Sequence, residues 1–161
     1  MDETLAAALE QLHEVSVAWA LVCCGWNRGE AEDVLQTVYV KVLDGRARFD
    51  GHSSLKTWLF AVIRKSAADR RRHAWIGSLG LERLWARRAG DVAAPAGEDA
   101  AERLRVRAAI ARLSRRQREV IDLVFYHDLT IEEAAQVMRV SLGSARVHYQ
   151  RGKVRLLELL R

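Results

Sequence analysis

Between Leu129 and Lys153 the chain reads LTIEEAAQVMRVSLGSARVHYQRGK, and that order of residues suits two short helices joined by a tight turn. Thr130 followed by Glu133 forms a capping box, in which a hydroxyl and a carboxylate three residues apart satisfy the free amides at a helix start. Leu129 and Ala134 stand where a hydrophobic staple forms. The apolar run Ala134, Ala135, Val137 and Met138 stops at Arg139-Val140-Ser141, and Ser141 is a good N-cap for a second helix. That second helix carries Ser144, Arg146, His148, Gln150, Arg151 and Lys153, with no acid before Glu158. A helix-turn-helix with a polar, basic second helix has the shape that enters a DNA major groove. The competing structural reading is a small helical hairpin with a solvated face.

The rest of the sequence is also helical in pattern. The 161 residues include one proline and ten glycines, with no long alternating apolar run, so an all-α fold is expected. One helix is expected over residues 3–25, with Leu5, Leu12, Val15, Ala18, Trp19 and Val22 recurring at three- and four-residue steps. A second is expected from Glu30 to about Asp44, with an apolar stripe of Ala31, Val34, Leu35, Val38, Tyr39 and Val42. Its other face offers Asp33, Gln36, Thr37 and Lys41. After the polar loop Gly45–Ser53, a third helix capped by Ser53 or Ser54 is expected to reach about His73. Leu55, Trp58, Leu59, Val62 and Ser66 fall on one face of it, and Lys56, Phe60 and Arg64 on another.

Residues 75–99 collect glycines and Pro95 and read as a linker, with one short helix near residues 81–88. Trp75 and Trp85 are unusual in such a segment and suit docking on a partner. Beyond it, a helix over residues 100–113 is expected to turn Leu104, Ala108, Ile110 and Leu113 inward. Ser114 and Gln117 form a second capping box and open a helix through Val120, Ile121, Val124 and Phe125. The apolar residues Val154, Leu156, Leu157, Leu159 and Leu160 make the tail of the last helix a packing face.

Net charge is +5, which suits a polyanionic partner. The balance comes from 22 arginines and four lysines, and arginine's planar fork matches phosphate and guanine. Charge is unevenly spread: residues 1–44 sum to −6 and residues 45–74 to +6. That asymmetry suits two partner surfaces or neutralisation between neighbouring helices. Phe60 among Lys56, Arg64, Lys65 and the run Arg70-Arg71-Arg72, beside the loop holding Arg48, is what single-stranded DNA binding requires. On the competing reading Phe60 is core and the arginines keep the helix soluble. Adjacent Cys23 and Cys24 lack the spacing of a disulfide framework or zinc site, and the five histidines lack ligand spacing. No phosphate-binding glycine loop or catalytic constellation is present, so neither a cofactor nor enzymatic activity is expected. The acidic first residues do not resemble a signal peptide, and no apolar run approaches bilayer length, so a cytoplasmic protein is expected.

Four segments in order carry a family resemblance. Ala31-Glu32-Asp33-Val34-Leu35-Gln36 resembles an AED-x-x-Q helix, FDGHSSLKTWLF (Phe49–Phe60) an F-x-G-x-S-S-x-x-T-W-L-aromatic segment, LSRRQREV (Leu113–Val120) an L-P-x-x-Q-R-x-V helix, and Leu129–Arg151 a promoter-reading helix-turn-helix. Together they resemble the small, two-domain extracytoplasmic-function (ECF) sigma factors of bacteria.

The resemblance implies two helical domains, residues 1–74 and 100–161, on either side of the linker. It implies docking of core RNA polymerase on the AED-x-x-Q helix through Asp33 and Gln36, beside Thr37 and Lys41. It implies a grip on the opened minus-ten strand by the loop and third helix, with Arg48, Phe49, Ser53, Ser54, Lys56, Trp58, Phe60, Arg64, Lys65, Arg71 and Arg72 as candidates. Phe60 is favoured over the half-core Trp58 for base stacking. Duplex reading at minus-thirty-five falls to Ser141, Ser144, Arg146, Val147, His148, Arg151 and Lys153. Control by an anti-sigma protein is also implied, with the apolar tail, Trp75 and Trp85 as contacts.

Three residues depart from the family pattern: Lys65 replaces the usual asparagine, His148 a frequent arginine, and Arg139 a turn glycine. Two alternatives fit the same residues. A stand-alone operator-binding regulator leaves the second and third helices idle and is marked by a palindromic footprint without polymerase. A sigma mimic that sequesters an anti-sigma protein is marked by promoter activity indifferent to Arg146 and Arg151.

Overall fold

The structure, a computed structural model, describes residues 3–77 and 99–161. All regular structure among them is helical, and the chain divides into two compact units, Met1–Gly90 and Asp91–Arg161. The expected helix 81–88, Trp85 and Pro95 lie outside the described residues.

The first unit holds α1 (Glu3–Gln11), α2 (His13–Cys23), α3 (Arg28–Leu43) and α4 (Leu55–Gly77). The single helix expected over 3–25 is interrupted at Leu12, whose ψ of 0° leaves the ideal helical value while Ser16 N–H still reaches the Leu12 carbonyl at 2.9 Å. α3 starts two residues earlier than expected because Asn27 caps it: its side-chain oxygen accepts from Glu30 N–H at 3.0 Å. Ser54 caps α4, accepting from Thr57 N–H at 3.1 Å. α4 then runs to Gly77 and takes Trp75 with it, past the expected domain boundary at 74.

α2, α3 and α4 pack on one another around Trp19, Val34, Val38, Leu59, Phe60 and Ile63, all at most 1% exposed. Trp19 and Phe60 are the centre. Their rings stack at 5.7 Å with 14° between planes, and the Trp19 indole N–H donates to the Phe60 carbonyl at 3.0 Å. That bond satisfies the one polar atom the indole brings into the core.

The second unit holds α5 (Asp99–Ala111), α6 (Arg115–Ile121), a π-helical turn (Asp122–Tyr126), α7 (Ile131–Met138) and α8 (Leu142–Leu160). Both expected capping boxes form, Ser114 with Gln117 and Thr130 with Glu133, and Ser141 caps α8 by accepting from Ser144 N–H at 3.1 Å. Arg139 ends α7 in the left-handed conformation at φ 53°, the geometry glycine adopts without steric cost.

Two expectations fail here. Leu104 is 48% exposed and Ala108 is also on the surface; α5 buries Ala109 instead. The π turn, closed by His127 N–H on the Asp122 carbonyl at 3.2 Å, shifts the helical register so that Leu123 and His127 point inward. Phe125 and Tyr126 are therefore turned out, at 62% and 66% exposed. The tail of α8 is only partly a packing face, since Val154 and Leu157 are exposed.

α8 crosses α6 closely at Gly152. A Cβ there would lie 2.7 Å from Ile121 Cδ1 and 3.3 Å from Gln117 Cβ. Gly152→Val is therefore expected to destabilise the second unit by about 1–3 kcal/mol through overpacking. Thermal melting checks this, and an unshifted transition would mean the crossing is looser than it looks.

Candidate nucleic-acid interface

In the first unit, α3 presents Asp33, Gln36 and Thr37 on its exposed side. Asp33 is held by Arg70 of α4, whose guanidinium nitrogen lies 2.7 Å from its carboxylate, and the Thr37 hydroxyl donates to the Asp33 carbonyl at 2.9 Å. Lys41 does not share that face. It is half-buried and donates to Ser66 at 3.2 Å, tying α3 to α4. Val40 and Leu43, 49% and 58% exposed, continue the outer side of α3 and were not singled out from the sequence.

The loop between α3 and α4 is braced by its own polar groups. Arg46 and Asp44 pair at 2.6 Å, and Arg48 Nε donates to the Gly45 carbonyl at 3.1 Å. Asp50 accepts from His52 N–H at 3.0 Å and meets the His52 ring at 3.0 Å. These His52 contacts, the backbone bond first, hold the Asp50 carboxyl below its ordinary value. Gly45 and Gly51, at φ 75° and 78°, supply the left-handed turns that let the loop fold back.

Phe60 is corrected by the structure. It is fully buried against Trp19 and offers no ring to a base. The aromatic surface is formed instead by the loop and the start of α4, where partly exposed Phe49 and half-buried Trp58 meet at 5.5 Å. Ser53 and Lys56 are half-buried, the Lys56 ammonium lies 5.8 Å from the Phe60 ring centroid, and Ser54 is spent on the α4 cap. Burial followed from the α2–α4 crossing: periodicity alone put Phe60 and Leu59 on different faces, but α4 is enclosed from both sides.

The basic run of α4 is also largely engaged within the unit. Arg70 holds Asp33, Arg71 donates to the Cys23 carbonyl at 2.5 Å, and Arg72 lies 3.8 Å from Asp69. Arg71 thus caps the carboxyl end of α2, a structural use that charge patterning did not reveal. Lys65 is exposed on α4 and Arg64 is half-buried.

In the second unit, α8 turns Arg146, Val147, Gln150 and Arg151 outward. Arg146 is 61% exposed in its side chain and lies 3.7 Å from Glu132 of α7, a loose surface pair. Ser141 is exposed but its hydroxyl serves the cap. Ser144, His148 and Lys153 are half-buried, and the Lys153 ammonium sits 4.6 Å over the Tyr149 ring. Ala145 is fully buried and Tyr149 half-buried, so the exposed face of α8 holds Arg146, Val147 and Arg151 of the expected residues but not Ser144 or His148. Gln150 belongs to that face too, although its uncharged side chain does not stand out in a basic helix.

Family models match both units: Sigma-70 region 2 over residues 10–76 and Sigma-70 region 4 over residues 103–156. The ECF RNA polymerase sigma factor SigX of Bacillus subtilis is 33% identical over all of this chain and 87% of its own length. The chain belongs to the ECF RNA polymerase sigma factors. SigC of Mycobacterium tuberculosis is 32% identical, covering 86% of this chain and 75% of its own. Among solved structures, the sigma factor RpoE in complex with the anti-sigma factor NepR from Bartonella quintana has a similar fold, with a TM-score of 0.82. It is 23% identical, and the match covers 98% of this chain and 97% of that one. CnrH in complex with the cytosolic domain of CnrY matches at a TM-score of 0.63 and 23% identity, over 96% and 86% of the two chains.

As a sigma factor the chain binds core RNA polymerase and directs it to promoters. Among the described residues no helix of this sigma factor is long and apolar enough to cross a membrane. The left-handed Arg139 shows how it forms the helix-turn-helix without a turn glycine: backbone strain at one exposed residue is offset by the caps on both helices.

Proposed function

We propose that this sigma factor divides its work between its two units, with residues 1–74 and 100–161 as the functional domains. The first unit seats on core polymerase through Asp33, Gln36 and Thr37 on α3. It then holds the opened minus-ten strand across Phe49 and Trp58, with Arg48, Lys56, Arg64 and Lys65 supplying cations. The second unit reads the minus-thirty-five duplex with Arg146, Val147, Gln150 and Arg151. The polymerase does the chemistry, and the work takes place in the cytoplasm. The observation that supports this division best is the outward face of α8, where two arginines and a glutamine project beyond a fully buried Ala145. Side chains so placed reach base edges and phosphates.

An anti-sigma protein fits as the regulator. RpoE was solved with such a partner, and the exposed Trp75 and the exposed Val154 and Leu157 are apolar surface of the kind such a partner covers.

The polymerase contact is tested by the double substitution Asp33→Ala/Gln36→Ala. The Asp33–Arg70 pair is solvent-exposed, so folding should lose less than about 1 kcal/mol. Affinity for core polymerase should fall at least about tenfold, the loss of roughly 1.4 kcal/mol expected of contact residues. Unchanged affinity in a titration with labelled core enzyme would move the contact to another surface.

A further inference from the structure

The exposed side of α8 has a pattern beyond its arginines. Val147, Gln150, Val154 and Leu157 recur at steps of three, four and three, the spacing of a seam between two helices. Val147, Val154 and Leu157 are 46%, 56% and 64% exposed, so nothing among the described residues covers this seam. An open trough of about 370 Å³ runs along it, lined by Gln150, Arg151, Val154, Arg155 and Glu158. The opposite side of α8, with Ala145 and Gly152 buried, packs on the rest of the unit.

The charges beside the seam decide what fits it. Arg151 and Glu158 stand on the same edge, two helical turns apart. Arg151 makes no ion pair among the described residues, and Glu158 pairs with Arg155 of its own helix at 3.1 Å on the surface. When two copies of α8 lie antiparallel with Val154 of each against Leu157 of the other, heptad geometry sets Arg151 of each beside Glu158 of the other. The surface is then its own complement, as a two-fold contact requires. Parallel pairing instead sets Arg146 beside Arg151, a like-charged contact. It matches Glu158 only with Lys153, which already sits over the Tyr149 ring at 4.6 Å.

We infer that α8 is also a self-association surface, on which two copies of this sigma factor pair their last helices antiparallel and mask the residues that face promoter duplex. The masking rests on the reading of α8 as the duplex-facing helix; the pairing does not. Gln150 and Arg151 cannot meet DNA and a second copy at once, so the free protein divides by concentration between a paired form and a form able to read a promoter. The seam is short, with Val154 and Leu157 from each copy and an ion pair at either end, so the dissociation constant should be on the order of 100 µM. An anti-sigma protein that covers Val154 and Leu157 competes with the second copy for the same stripe.

Sedimentation equilibrium of the full chain tests the pairing by charge reversal. Wild type should pass from monomer toward dimer as its concentration rises to about 1 mM. Arg151→Glu and Glu158→Arg should each stay monomeric, because each sets like charges opposite one another at both ends. An equimolar mixture of the two should associate again, since both flanking pairs are then opposite in sign. Melting curves of both variants should match wild type, the two side chains being exposed. Wild type that stays monomeric to about 1 mM overturns the pairing, and so does a mixture that associates no better than its components.

Masking is read separately. Oxidising an equimolar mixture of Val154→Cys and Leu157→Cys proteins with diamide should link the pair by a disulfide. The native thiols stay out of the reaction: Cys23 is buried, and Cys24 is pushed up to about 11, by burial first and then by Glu30. With core polymerase the linked dimer should give no run-off transcript, and reduction should restore it. A linked dimer that initiates as well as the reduced protein overturns the masking. Should Arg146→Ala/Arg151→Ala leave promoter use untouched, the reading of α8 itself fails, which is a different result and leaves the pairing standing.

Discussion

Phe60→Ala is expected to cost the first unit about 3–5 kcal/mol, the range for removing a fully buried phenylalanine. The loss has two parts. The ring leaves a cavity against Trp19, with which it stacks at 5.7 Å, and the lost apolar burial adds to the cost of that cavity. A domain of this kind is stable by roughly 5–15 kcal/mol, so a large share of its stability goes. Thermal or urea unfolding shows this directly. Phe49→Ala should behave in the opposite way. Phe49 is 37% exposed and its loss should lower stability by less than about 1 kcal/mol. Promoter opening, read by permanganate reactivity of unpaired thymines, should fall by about the worth of one stacked base, 1–3 kcal/mol. A Phe60→Ala protein that melts normally and fails only at opening would restore Phe60 as the stacking ring.

Replacing both Arg146 and Arg151 by alanine is expected to weaken promoter binding by at least about a hundredfold, since each contact contributes roughly 1–3 kcal/mol. Folding should be nearly unaffected, because both side chains are exposed and the Arg146–Glu132 pair at 3.7 Å is a surface pair. The single variants separate the two roles. An arginine on a base edge relaxes preference at one position, whereas one on a phosphate weakens all sequences alike and lowers the salt slope by about one. Footprinting of the holoenzyme across salt concentrations distinguishes them. Undiminished promoter use by the double variant would favour the sigma mimic, in which these arginines read nothing.

Helix starts were the most legible part of the fold. Ser114, Thr130 and Ser141 were read as caps because a hydroxyl at a fixed distance ahead of an apolar run has a local cause, and all three cap. The outward face of α8 was legible in part: Arg146, Val147 and Arg151 are exposed, whereas Ser144 and His148 are half-buried. Features that depend on partners distant in sequence were not legible. Phe60 and Trp19 are 41 residues apart, and only the crossing of α2 and α4 makes them a pair. Arg71 looks like one more cation in a basic run, yet it lies 48 residues from the Cys23 carbonyl that it caps. Asp33 and Lys41 share a polar stripe on paper, but Lys41 leans between helices to Ser66. The π turn at Asp122–Tyr126 has no compositional mark, and its extra residue turned Phe125 outward against the periodicity.

The central claim is that one chain both seats on polymerase and chooses where transcription begins. Run-off transcription of fragmented bacterial genomic DNA tests it most directly, with purified core polymerase, with and without this protein, and with sequencing of the 5′ ends. The account predicts a small set of new start sites that need both components, sharing one upstream element at minus-thirty-five and another at minus-ten, and lost with the Arg146/Arg151 double variant. Start sites that are the same with and without the protein would contradict it.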